Sequence, residues 1–127
     1  ARGPEGREYP WGDKWDPSRL NTSEYWAGEN DLTDYGRWGK WLKERSDSAS
    51  TTMVGQFPAG ATPAGLCDLA GNVWEWCASW YDRSETDRVV RGGAWSDARR
   101  IARCASRYRD VPDLFGYDLG FRLFSPG

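Results

Sequence analysis

Histidine is absent from these 127 residues. Any mechanism that needs an imidazole base is thereby excluded. Only three cysteines occur, Cys67, Cys77 and Cys104, and they form no Cys-x-x-Cys pair. A zinc site is not expected from an odd set of thiols without histidine. Buried free thiols are the expected state, with a Cys77–Cys104 bridge open only to an oxidising compartment. No stretch approaches eighteen apolar residues, so no membrane span is expected. No signal-peptide pattern is visible, and the chain opens at Ala1-Arg2-Gly3 without a methionine, which suggests a processed or truncated start.

What is present is aromatic and turn-rich. Mean hydropathy is low at −0.81, yet nine Trp, six Tyr and four Phe supply large apolar areas. Fifteen Gly and seven Pro point to many turns. The size fits one domain or part of one. Net charge is −2, but residues 88–109 hold seven Arg and a single acid, Asp97. Without accompanying Lys, these arginines read as loop braces that pair with carboxylates and carbonyls rather than as a nucleic-acid surface.

Along the chain, residues 1–30 read as loop and turn. Residues 31–45 are the best helix candidate, capped by Asp31 or Thr33, with Trp38, Trp41, Leu42 and Arg45 on one face. Gly36 and Gly39 weaken that helix and predict a short one. Alternation predicts strands at Val54–Pro58 and Val73–Cys77, and Arg88–Arg91 and Gly120–Phe124 are further strand candidates. The second would turn Trp74 and Trp76 to one face, as core, and Glu75 to the other. Gly92-Gly93 reads as a bulge or tight backbone passage. The expected class is α+β, with short strands and much ordered loop.

Several runs then carry a resemblance. Tyr9-Pro10-Trp11-Gly12-Asp13, Gly71-Asn72-Val73-Trp74-Glu75-Trp76, Arg91-Gly92-Gly93-Ala94-Trp95, Arg103-Cys104-Ala105 and Gly120-Phe121-Arg122 stand in the order found in formylglycine-generating-enzyme (sulfatase-modifying factor) domains. The resemblance extends from end to end. It implies a C-type-lectin-like fold of the formylglycine-generating-enzyme subclass. It also implies that residues 1–127 are the C-terminal part of one such domain whose N-terminal part is missing. Enzymes of this type carry two catalytic cysteines, spaced C-x4-C, at the positions matching Asp97 and Ala102. A carboxylate and a methyl group cannot replace soft thiolate ligands, so neither copper nor catalysis is expected.

The final segment resembles more closely the variable proteins of diversity-generating retroelements. These read Arg-Gly-Gly-Ser-Trp, then Arg-Cys-Ala-x-Arg-x-Arg, then Gly-Phe-Arg. That resemblance makes the Arg, Gly and Trp residues a fixed frame and implies diversified ligand-binding positions at Ser96, Asp97, Ile101, Ser106, Tyr108, Asp110, Leu114, Gly116, Tyr117 and Asp118. Adenine-directed mutation of Asn codons cannot yield Lys, Glu, Gln, Met or Trp. Residues 96–118 contain none of these five types, whereas the other 104 positions contain 21. The implied function is non-catalytic recognition of a protein or cell-surface ligand. The alternatives are a catalytically silent module of a larger protein and an active oxidase with displaced cysteines.

The family further implies calcium, held at Ala70, Gly71, Val73 and Glu75, with a weaker second set at Asn21, Thr22 and Asp47. Glu75 has an alternative as the ion-pair partner of an arginine, and Arg122 is expected to make such a pair. Asn21-Thr22-Ser23 is formally a glycosylation sequon.

Overall fold

The computed structural model describes residues 1–123, apart from the side chains at positions 45 and 46. Its two helices are α1 (Ser23–Ala27) and α2 (Tyr35–Arg45), and its strands are β1 (Trp74–Trp80), β2 (Arg88–Arg91), β3 (Tyr108–Asp110) and β4 (Leu119–Gly120). The strands make one sheet in the order β3-β2-β1-β4. β1 is antiparallel to β2 and parallel to β4, and β2 is antiparallel to β3. Much of the remaining chain is ordered loop and 3-10 turn.

β2 forms at the expected residues, and β1 forms at the expected segment but runs on to Trp80. Trp76 pairs with Val90, Val90 with Tyr108, and Trp74 with Leu119. A register shift between Trp76 and Trp80 bends β1. Because neighbours alternate in face, Glu75 points away from Trp74 and Trp76.

The helix prediction needs a change of start. Asp34, rather than Asp31 or Thr33, caps α2, since its carboxylate accepts the Arg37 N–H at 2.9 Å. Asp31 is used one turn earlier, where it accepts both the backbone N–H and the hydroxyl of Thr33. Despite Gly36 and Gly39, α2 runs for 11 residues. Packing overrides propensity here, because Trp41 is buried with Leu32, Ala49 and Ala98, and Trp38, Leu42, Trp26 and Trp95 pack around them. A second cluster joins Leu20, Ala70 and Ala102 to Trp11 and Trp15.

Three expectations fail. Residues 1–30 are not all loop, since α1 lies within them. Val54–Pro58 is not a strand: Gly55 has φ +81°, Gln56 closes a turn onto Met53, and Phe57 is buried edge-on to Tyr25. The final strand is confined to Leu119–Gly120, and its expected end at Phe124 lies outside the described residues. All three cysteines are free and half-buried, so Cys77 and Cys104 form no bridge.

Three glycines are dictated by geometry. A Cβ on Gly71 would stand 2.3 Å from the Asn21 carbonyl oxygen. Gly92 and Gly93 both have positive φ, +96° and +74°, in the tight passage out of β2. Next to Gly71, Asn72 joins three segments. Its N–H donates to the Asn21 carbonyl, and its side-chain oxygen accepts from the Thr52 N–H and the Asn21 amide.

Candidate functional site

The arginines of residues 88–109 are used as braces. Arg91 donates to the carbonyls of Ser106 and Cys104, and Arg103 to that of Arg100. Arg99 pairs with Asp31 at 3.0 Å. Arg88 covers the Trp80 ring and donates to the Ala78 carbonyl, while Arg107 covers Tyr81 and donates to its carbonyl. These contacts leave a loop-rich segment with a fixed backbone.

Against that frame lies a cavity of about 440 Å³. The sheet contributes Trp74, Val90, Tyr108, Asp110 and Leu119, and α2 contributes Tyr35 and Trp38. The loop after Gly93 brings Asp97, Arg100 and Ile101, and the loop before β4 brings Leu114, Phe115, Gly116 and Asp118. Seven of the ten expected ligand positions therefore wall one space: Asp97, Ile101, Tyr108, Asp110, Leu114, Gly116 and Asp118. Trp74 and Tyr108 stand in contact within its sheet wall, ring centroids 5.3 Å apart.

The other three lie outside the wall. The Ser96 carbonyl accepts the Trp38 indole N–H at 2.8 Å. Ser106 is a frame residue, its hydroxyl donating to the Arg100 carbonyl and its own carbonyl accepting from Arg91. Tyr117 is 80 % exposed, its ring 6.1 Å from that of Trp95.

Asp97 is a floor residue rather than a free contact. Its carboxylate accepts the Ala94 N–H at 2.9 Å and hydrogen-bonds the Trp74 side chain. Its carbonyl accepts the N–H and the hydroxyl of Ser23 at the start of α1. Burial, with the Asp118 carboxylate adding to it, pushes the Asp97 carboxyl up to about 6.

Sequence reasoning passed over Glu24 and Tyr35 and gave Trp38 no role at the site. Glu24 is fully buried, and its carboxylate accepts the backbone N–H groups of Leu32 and Arg99. It thus ties α1 to the loop that supplies the cavity. Tyr35 and Trp38 come from α2, whose sequence pattern carried no sign of the cavity. Trp74 likewise walls the cavity half-buried instead of being enclosed as core.

The calcium sets do not fit a cation as folded. Both carboxylate oxygens of Glu75 are held by the Arg122 guanidinium, which leaves no negative donor beside the carbonyls of Ala70, Gly71 and Val73. Asn21 spends its side chain on Trp26, Ser50 and Asn72, the Thr22 hydroxyl is buried without a hydrogen-bond partner, and Asp47 is exposed on a 3-10 turn. Among the described residues no three His, Cys, Asp or Glu side chains gather as a metal-binding group. Asn21 is also only 1 % exposed, which closes the sequon to glycosylation in the folded state. No helix among the described residues is long and apolar enough to cross a membrane.

Comparison with known proteins agrees with this architecture. An inactive C-alpha-formylglycine-generating enzyme 2 of Bos taurus is 37% identical over 133 residues, covering 97% of this chain and 39% of that protein. The formylglycine-generating enzyme of Bos taurus is 31% identical over 94% of the chain and 34% of its own length. A serine/threonine-protein kinase pkn1 of Chlamydia pneumoniae is 37% identical over 86% of the chain and 21% of the kinase. The chain thus spans roughly two fifths or less of each of these relatives. Among solved structures, Treponema denticola variable protein 1 superposes with a TM-score of 0.53 at 26% identity, over 81% of this chain and 45% of that one. The sulfatase-modifying factor enzyme 1-like domain model matches residues 1–125, and the chain belongs to that family, with the C-type-lectin-like fold of its formylglycine-generating-enzyme subclass.

Proposed function

We propose that this chain is a non-catalytic ligand-binding scaffold whose residues 96–118 form a diversified contact surface, as in a diversity-generating retroelement variable protein. The observation that carries the reading is the shared cavity. Seven residues that the resemblance marks as variable converge on one space, and apart from the Asp97 carboxylate, which accepts the Ala94 N–H, the braces around it use other side chains. Tyr108 and the neighbouring Leu114 and Phe115 offer amphipathic and apolar contact area there, as recognition surfaces do. The likeness to a variable protein and to an enzyme named inactive supports the same reading.

The proposal includes the loss of the catalytic pair. Asp97 is hydrogen-bonded into the cavity floor, and Ala102 is 1 % exposed, packed with Leu20 and Ala70. Neither side chain offers a thiolate for copper.

The test is a library that varies Ile101, Tyr108, Leu114 and Tyr117 together, displayed and selected against a model protein antigen. Most members are expected to melt cooperatively near the parent temperature, and binders are expected to lose affinity when these four positions revert. Widespread unfolding, or binders whose decisive changes fall outside residues 96–118, would overturn the reading. Incubation with copper and a Cys-x-Pro-x-Arg peptide is expected to form no formylglycine; turnover there would overturn the non-catalytic part.

A further inference from the structure

The charges around the cavity are not balanced. Two arginines reach it, and both hold partners outside it, although Arg100 is also near enough to Asp97 to favour its charged form. Arg100 donates to the Thr33 carbonyl at 2.8 Å and lies 3.7 Å over the Tyr35 ring. Arg109 faces Asp82 and Asp87 at 3.8 and 3.5 Å and also approaches Tyr81. Three carboxylates remain, those of Asp97, Asp110 and Asp118, and none of them takes part in a salt bridge among the described residues. The Asp110 carboxylate meets only the N–H of its neighbour Val111. Asp97 and Asp118 stand close enough to repel one another.

Around these carboxylates the walls are aromatic. Trp74, Trp38, Tyr35, Tyr108 and Phe115 face the same space. An aromatic ring presents a negative face, which attracts cations more strongly as water is excluded. Phe115 and Tyr35 are largely exposed, so the cavity is open to water. Carboxylates without an ion pair there still disfavour an anion and leave a neutral ligand without a partner for the charge. A cation with an apolar stem satisfies both features at once, the stem against the rings and the head at the acids.

We infer that the cavity recognises a lysine or arginine side chain presented by a protein ligand, with Asp118 and Asp110 receiving the charge and Trp74 and Tyr108 flanking the stem. This rests on the display reading above and narrows it to one ligand chemistry for the present set of side chains. Asp97, already hydrogen-bonded to the frame, contributes field rather than direct contact.

The test titrates four capped amino acids into the whole chain: the N-acetyl amides of lysine, arginine, norleucine and glutamate. Isothermal titration gives affinity, and indole N–H chemical shifts locate the binding. The lysine and arginine amides are expected to bind at least tenfold more tightly than the norleucine amide and to move the Trp74 resonance. Asp118→Asn is expected to abolish that preference while keeping norleucine binding. If Asp118→Asn does not fold, Asp110→Asn supplies the same comparison. High salt acts as a second readout, weakening lysine but not norleucine binding. Equal binding of lysine and norleucine would overturn the charge assignment yet leave a ligand-binding cavity. Preference for glutamate would overturn it in favour of Arg100 and Arg109. Binding of none of the four would also overturn it, whereas the display reading stands or falls on the library.

Discussion

The Arg122 guanidinium bridges both carboxylate oxygens of Glu75 and reaches on to the carbonyls of Cys67 and Asp68, at 3.0 and 2.8 Å. A residue just after β4 thereby locks the loop before Gly71 to the start of β1. The fork geometry is specific to arginine, since an ammonium cannot serve two carboxylate oxygens and two carbonyls from one plane. Arg122→Ala should strand a half-buried carboxylate and cost about 1–3 kcal/mol. Arg122 is itself partly exposed, so the lower half of that range is expected. Arg122→Lys should recover less than half of the loss. Thermal melting of the three proteins checks this, and full rescue by lysine would show that charge, not geometry, matters.

The same pair makes a prediction about calcium. A cation at Glu75 would have to displace a guanidinium that already neutralises it, with four hydrogen bonds lost in the exchange. Millimolar calcium, or a chelator in its place, is therefore expected to leave the melting temperature unchanged. A rise of several degrees with calcium would mean that Arg122 swings away and that the carbonyls of Ala70, Gly71 and Val73 coordinate the ion.

Asp97 predicts an unusual dependence on pH. Its carboxyl is raised from 3.8 to about 6 in the folded chain, chiefly by burial. Between those values the folded state binds a proton that the unfolded state has released, so stability falls as pH rises through the window. The penalty is complete above about pH 6 and amounts to at most about 3 kcal/mol for a shift of roughly two units. Asp16, Asp31 and Asp82 act oppositely, being held below the usual carboxylate range first by side-chain hydrogen bonds from Ser18, Thr33 and Ser84. Their stabilisation is present above about pH 4 and lost below it. Melting temperature should thus climb from pH 7.5 to about 5 and drop further into acid. In Asp97→Asn the climb should vanish, and a climb that persists there would assign it to another group.

Sequence pattern made the sheet core legible and the cavity only half so. Val73–Cys77 announces itself by alternation and Arg88–Arg91 by its paired valines, and the two strands lie side by side in the sheet. β3 does not announce itself, since Tyr108–Asp110 is largely exposed and held by its register to β2 rather than by an apolar face. α1 escapes notice because five residues show too little periodicity. Its one signal is Thr22-Ser23 ahead of an acid, Glu24, a pattern common at helix starts. The proposed variable positions come from the resemblance to variable proteins, with the residue types missing from residues 96–118 in support. Tyr35 and Trp38 carried no such support, as a helix facing a cavity and a helix facing a core share one pattern.

Aromatic residues on the two sides of the frame should respond oppositely to truncation. Trp41 is buried among Leu32, Ala49 and Ala98, so Trp41→Ala opens a void that these small neighbours cannot fill. A loss of about 3–5 kcal/mol is expected, enough to unfold a marginal domain near body temperature. Tyr117 projects from the loop before β4 with only its contact to Trp95, and Tyr117→Ala should change stability by less than about 0.5 kcal/mol. Tyr108 sits between these limits, half its surface exposed but its ring against Trp74. Tyr108→Ala should cost about 1 kcal/mol, the scale of one aromatic pair and a little apolar area. Denaturant melts of the three variants give the order directly. If Tyr117→Ala proves as damaging as Trp41→Ala, the ring is structural, and the surface assigned to recognition is instead part of what holds the chain together.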